Sequence, residues 1–245
     1  MTKQFVLIIS LTLFVLFGFL AYLFRNELIL ETHYYPIDHQ KEVNSYNEID
    51  AVFASLPKKA YLQLDASYLS KTKSSKFKYK RLLKRKEYYV VHRKDLFKKI
   101  AGDVRIKDLL PQKDQFYKNC MDKDEEIYWL MDKKVVYKLL DLQLELKKAG
   151  YKHNGFTVRN GHRYPSYNEK VGGASSSRHI LGEAIDITVG DIDGNGKYEE
   201  KKDKKIILDL LDEKIIRNEG GVGLYPGSSS VHFDVRGRKA RWNSY

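Results

Sequence analysis

The sequence predicts an α+β domain, a small antiparallel sheet with flanking helices, preceded by one transmembrane helix. Three observations lead there. Residues 5–24 are twenty positions without a charge, rich in Leu, Phe, Ile and Val. A long amphipathic stretch begins at Asp132 and stops at Gly150. Around it, short apolar runs alternate with turn-forming residues, the pattern of a small sheet rather than a helical bundle.

In chain order, residues 1–4 form a short cytoplasmic terminus and residues 5–24 the membrane span. At about 1.5 Å per residue, a helix of this length just crosses about 30 Å of hydrocarbon. The small residues near Gly18 and Ala21 are flanked by Phe, Leu and Tyr, which makes a poor cleavage site, and no cysteine lies near the end of the span. Residues 25–45 read as a tether. Asn47–Leu56 is expected as a helix stopped by Pro57, Ala60–Leu64 and Glu87–Val91 as strands, and Lys94–Ala101 and Asp124–Met131 as helices. The basic, Tyr-rich region 25–130 has no function assignable from its residues.

The domain of interest spans residues 131–245. Val135, Val136, Leu139, Leu140, Leu142, Leu144 and Leu146 form an apolar stripe, and Lys147 and Lys148 sit in the last turn before Gly150, as a helix end requires. Gly155–Val158 and Ala184–Val189 read as strands. A second helix is expected from Asp203 to Asn218 with Ile206, Ile207, Leu210, Leu211 and Ile215 inward, and Gly221–Tyr225 and Val231–Val235 as a closing strand pair.

The formal charge of +12 is concentrated between Lys71 and Lys99, where basic residues interleave with Phe77, Tyr79, Tyr88 and Tyr89. Two readings stand: a solvated face, or attraction to an anionic polymer or phospholipid headgroups. No nucleic-acid partner is expected. Cys120 is the single cysteine, so no internal disulfide can form.

Two segments carry the chemistry. Ser177-Arg-His179-Ile-Leu-Gly182-Glu-Ala-Ile-Asp186 and Val231-His232-Phe-Asp234 supply two histidines and carboxylates on stretches rich in small residues. Imidazole and carboxylate suit zinc, and a hydrolytic site uses three protein ligands with one position left for water. His179, Asp186 and His232 are the expected ligands. His232 and Asp234, two apart on a strand, project from one face. Asp234 is the candidate base for the water, with orientation of a histidine ligand as its other reading. Separately, Asp191-Ile-Asp193-Gly-Asn195-Gly196, with Glu199 nearby, resembles the start of a calcium loop. It lacks an acid at the twelfth position, so Ca2+ and an ion-free acidic turn both remain open.

These motifs, with Asn160-Gly-His-Arg163-Tyr-Pro165-Ser-Tyr-Asn168, Val171-Gly-Gly-Ala174 and Gly220-Gly-Val-Gly-Leu-Tyr225, resemble the zinc D-alanyl-D-alanine peptidases. These share a fold with the hedgehog signalling domain, and the chain is most similar to the bacterial periplasmic murein peptidase branch. The resemblance covers residues 131–245. It implies a Zn2+-dependent carboxypeptidase or endopeptidase acting on peptidoglycan peptides. The catalytic domain would face the periplasm or cell-wall space, held to the bacterial inner membrane by the single N-terminal helix. It assigns Arg163 to the developing negative charge on the substrate carbonyl. Many relatives carry Glu three residues, or His two residues, before the last ligand, where this chain has Ser229 and Ser230. That departure keeps a second reading open, a non-catalytic zinc-containing peptidoglycan-binding module.

Overall fold

Ser45 opens the first helix, α1 (Tyr46–Ala54), because its hydroxyl accepts the Glu48 amide and satisfies a donor that has no partner inside the helix. The computed structural model describes residues 40–243, together with residue 22. Apart from residue 22, the expected transmembrane segment 5–24 lies outside the described residues, as do the terminus 1–4 and most of the tether. Among the described residues, no helix is long and apolar enough to cross a membrane.

Residues Glu42–Tyr245 form one compact unit. Its first layer holds β1 (Lys58–Ala60), β2 (Glu87–Val91) and β5 (Ile127–Trp129) in an antiparallel sheet of order β1-β2-β5. The short hairpin β3 (Lys99–Ala101) and β4 (Val104–Arg105) stands apart from it. Helices α2 (Ala66–Lys71), α3 (Phe77–Leu83), α4 (Arg93–Leu96) and α5 (Gln115–Lys123) fill the intervening chain.

Three sequence expectations fail in this part. Ala60–Leu64 is not a strand: β1 ends at Ala60 and a 3-10 turn over Tyr61–Gln63 buries Tyr61. Lys94–Ala101 is split between α4 and β3. Asp124–Met131 is a strand, because α5 ends at Asp124 in the left-handed region (φ 56°) and the apolar Ile127–Trp129 run pairs with β2. These runs are short enough that periodicity does not separate helix from strand.

The second layer is read more faithfully. The central helix α6 (Lys133–Lys148) starts at Asp132, whose carboxylate accepts the Lys134 amide, and it buries Val135, Val136, Leu139, Leu140, Leu142 and Leu146. Leu144 departs from the expected stripe and is 39% exposed. A five-stranded sheet follows, with order β10-β8-β9-β7-β6, built from β6 (Phe156–Asn160), β7 (Ala184–Val189), β8 (Gly221–Gly223), β9 (Ser230–Asp234) and β10 (Ala240–Trp242). All its pairs are antiparallel except β10 with β8, which is parallel. Between β6 and β7 lies α7 (Pro165–Lys170). The expected 203–218 helix is α8 (Lys205–Leu210), flanked by π-helical turns at Glu200–Lys204 and Leu211–Ile215.

The first layer packs directly beneath the second. Tyr61, Tyr68, Tyr79, Tyr88, Tyr128 and Leu130 share one apolar cluster with Ile180, the residue beside His179. Much of the tyrosine richness of the N-terminal region is therefore core.

Candidate metal centre

Strand register sets the site. Asp186 on β7 lies directly opposite His232 on β9, so both side chains leave the same face of the sheet. His179 arrives from a 3-10 turn (Arg178–Leu181) that ends at Gly182 in the left-handed region, φ 67°. A side chain at Gly182 would meet the Leu130 carbonyl at 2.1 Å. Glycine is therefore required for the turn to close against Leu130 and Met131, and the Gly182 carbonyl accepts the Asp132 amide at 2.9 Å.

The three side chains converge. His179 Nε2 and His232 Nδ1 lie 3.0 and 2.8 Å from Asp186 Oδ1, and 3.1 Å from each other. The far nitrogen of each ring faces an acceptor. His179 Nδ1–H donates to the Gly161 carbonyl at 2.6 Å, and His232 Nε2–H donates to Asp234 Oδ2 at 3.1 Å. Those bonds fix both tautomers so that the inward nitrogens present lone pairs, as a metal-binding imidazole must. Tetrahedral zinc with bonds of about 2.0–2.1 Å sets its ligand atoms roughly 3.3 Å apart. The observed separations need to open by only a few tenths of an ångström, and the donor set fits zinc.

Charge reinforces this arrangement. Burial would raise the Asp186 carboxyl, but the charge and hydrogen bonds of His179 and His232 outweigh it and hold the group well below the usual carboxylate range. Burial lowers His179, although Asp186 opposes it. For His232, burial is outweighed by hydrogen bonds to Asp186 and Asp234, which raise it.

Asp234 does not stand where a base for the water would. It is fully buried behind the His232 ring, on the side away from Asp186. It accepts the Gly221 amide at 3.0 Å, the Arg236 amide at 3.1 Å and the Arg236 guanidinium at 2.5–3.1 Å. Burial is outweighed by His232 and Arg236, which hold its carboxyl far below the usual range. These contacts, with His232 Nε2–H and with Arg236, are those that the other reading of Asp234, orientation of a histidine ligand, calls for. Glu183 pairs with Arg178 and Lys86 and does not line the site.

Arg163 follows the bulged end of β6 and donates from its guanidinium to Asp186 Oδ2. Its Nε is buried without a partner. The cavity in front of the ligands measures about 580 Å³, and Arg159, Arg163, Arg178, Arg236 and Arg238 line it. Among the described residues lining it, Asp186 is the only carboxylate.

Sequence reasoning missed the supports of this site. Trp242 lies 5.1 Å, ring to ring, from His232, stacks under Arg236 and donates Nε1–H to the Tyr225 hydroxyl at 3.2 Å. Lys204, although buried, donates to the Tyr225 and Ser228 carbonyls at 2.7 and 2.5 Å and to Glu200 at 3.2 Å, fixing the turn that carries Tyr225. A lysine inside an otherwise apolar helix face was the available signal. His162 is buried between the layers and accepts the Leu130 amide, and burial lowers it to about 3, with His179 adding to the effect.

The calcium expectation is not supported. Asp191 pairs with Lys152 at 2.5 Å and accepts the Gly194 and Gly196 amides. Asp193 is held by Asn195, and Glu199 by Asn195 and Lys202. Buried Asp203 caps the amides of Ile192, Asp193 and Glu199. Backbone amides and lysines thus satisfy the loop, as in an acidic turn.

Residues 114–205 match the Peptidase M15 family model. The match contains Arg163, His179 and Asp186 and ends before His232. No curated protein and no solved structure matches the chain.

Proposed function

We propose that the domain hydrolyses amide bonds in peptidoglycan stem peptides or cross-links, on the outer side of the cytoplasmic membrane. The observation that carries the reading is the convergence of His179 Nε2, His232 Nδ1 and Asp186 Oδ1 at the floor of an arginine-lined cavity. Bound there, zinc would supply Lewis acidity toward a peptide carbonyl and lower the pKa of water. Arg163, against Asp186 and with an unpartnered Nε, is placed to donate to the carbonyl oxygen as it gains charge. The other arginines favour a substrate with free carboxylates, which stem peptides carry. Tyr225 and Trp242 line the cavity beside His232.

One observation favours a second reading. With Asp234 behind His232, the described residues lining the cavity include no carboxylate other than the candidate ligand Asp186 to accept a proton, as expected of a module that binds murein without cutting it. Zinc-loaded full-length protein incubated with soluble murein peptides separates the two. Fragments bearing a new amine and a new carboxylate, seen by mass spectrometry, support the peptidase. Tight binding without fragments supports the module.

A further inference from the structure

Residues 66–86 contain nine lysines and arginines and no carboxylate. The structure divides these cations into two groups. Lys73 and Lys78 pair with Glu169 at 2.5 and 3.5 Å, and Lys86 pairs with Glu183 at 3.5 Å, so these three tie the first layer to the second. Lys71, Lys76, Lys80, Arg81, Lys84 and Arg85 are exposed and form no ion pair among the described residues.

Helix α3 organises the second group. Tyr79 and Leu83, four apart, are buried and occupy its inner face. The opposite face therefore presents Phe77, Lys80, Arg81 and Lys84 together. Phe77 is 78% exposed, and the Arg81 guanidinium lies 5.9 Å from its ring centre. Leu82 adds a further exposed apolar side chain on the same helix. A large exposed aromatic among cations that form no ion pair with the described residues serves no purpose in the core.

We propose that this face docks on a bilayer containing anionic phospholipid. Lysine and arginine side chains on one helical face reach headgroup phosphates, while an adjacent aromatic enters the boundary between headgroup and acyl chain. An anionic wall polymer would satisfy the cations but give Phe77 no apolar partner. A single-stranded nucleic acid would need a row of stacking rings, and Tyr79, Tyr88 and Tyr89 are buried. The inference does not depend on the metal site or its chemistry.

The test uses the full-length chain with Ser75→Cys carrying a polarity-sensitive fluorophore. Ser75 is exposed, and the native Cys120 is buried. The labelled protein is reconstituted into phosphatidylcholine vesicles with and without phosphatidylglycerol. A blue shift and reduced iodide quenching are expected only with phosphatidylglycerol. Both should reverse near 1 M salt, where the screening length falls to about 3 Å. The exposed-residue variant Lys80→Gln/Arg81→Gln/Lys84→Gln/Arg85→Gln should lose the response while keeping its melting temperature. Phe77→Ser should keep the salt dependence with a smaller blue shift. Equal fluorescence in both lipids, or a full phosphatidylglycerol response in the quadruple variant, would overturn the proposal. A response to a soluble polyphosphodiester wall polymer but not to vesicles would assign the face to that polymer and overturn it as well.

Discussion

Replacing Asp234 by Asn tests the placement of this carboxylate behind His232. One oxygen accepts the amide pair of Gly221 and Arg236 together with Arg236 Nε–H, and the other accepts the pair formed by His232 Nε2–H and the terminal nitrogen of Arg236. An asparagine oxygen can serve only one of these pairs, so its amide must face the donors of the other. If the amide faces His232, the imidazole can keep a bond only by moving its proton to Nδ1, the nitrogen that faces Asp186. A metal cannot bind that nitrogen. Loss of such a supporting bond typically weakens metal binding by about 10–100-fold, which is roughly 1.4–2.7 kcal/mol. Removing the charge partner of half-buried Arg236 adds a fold-stability cost of up to about 3–5 kcal/mol, the range for a broken buried pair. Zinc affinity by chelator competition, with urea unfolding alongside, reads both terms. Unchanged zinc affinity with turnover abolished would refute this assignment and return Asp234 to the role of base.

His179→Ala, Asp186→Ala and His232→Ala should each lose most of the zinc from purified protein, and full retention in all three, read by metal analysis, would refute the ligand set. Arg163→Ala should retain zinc, since the three ligands remain, while kcat falls by about 10²–10³. Steady-state kinetics with a defined murein peptide checks it. His162 has its folded-state pKa lowered to about 3 by burial, with His179 second. An unfolded chain takes up a proton there below about 6.5, so the stability tied to neutral His162 is present above that pH and is lost as pH falls toward the folded value. His162→Gln should remove that loss, about 1.4 kcal/mol per pH unit at most. Denaturant unfolding of both proteins at neutral and mildly acid pH measures the difference.

The second layer was legible because its signals are long or local. The Asp132 cap, the apolar stripe and the lysines before Gly150 define α6, and the Ala184–Val189 strand falls at its expected bounds. Asp186 and His232 stood out as candidate ligands from residue type and family-like spacing, and strand register places them opposite one another. The first layer was less legible because its runs are only three to five residues long and are decided by tertiary partners. Ile127–Trp129 is a strand because β2 lies beside it. The role of Asp234 was open in the sequence for a related reason. A shared face says that His232 and Asp234 are neighbours, but not which nitrogen of the ring lies between them. Lys204 and Trp242 act through contacts 21 to 24 and ten to seventeen positions away in sequence, beyond the reach of a local motif.

Incubating metal-free and zinc-restored full-length protein with the same soluble peptidoglycan peptides, followed by mass spectrometry, tests the central claim most directly. Cleavage that appears only on zinc restoration, and that fails to appear in the His179→Ala protein, is the expected result. Equal cleavage with and without zinc, or tight peptide binding with no cleavage in the zinc-restored protein, would contradict it.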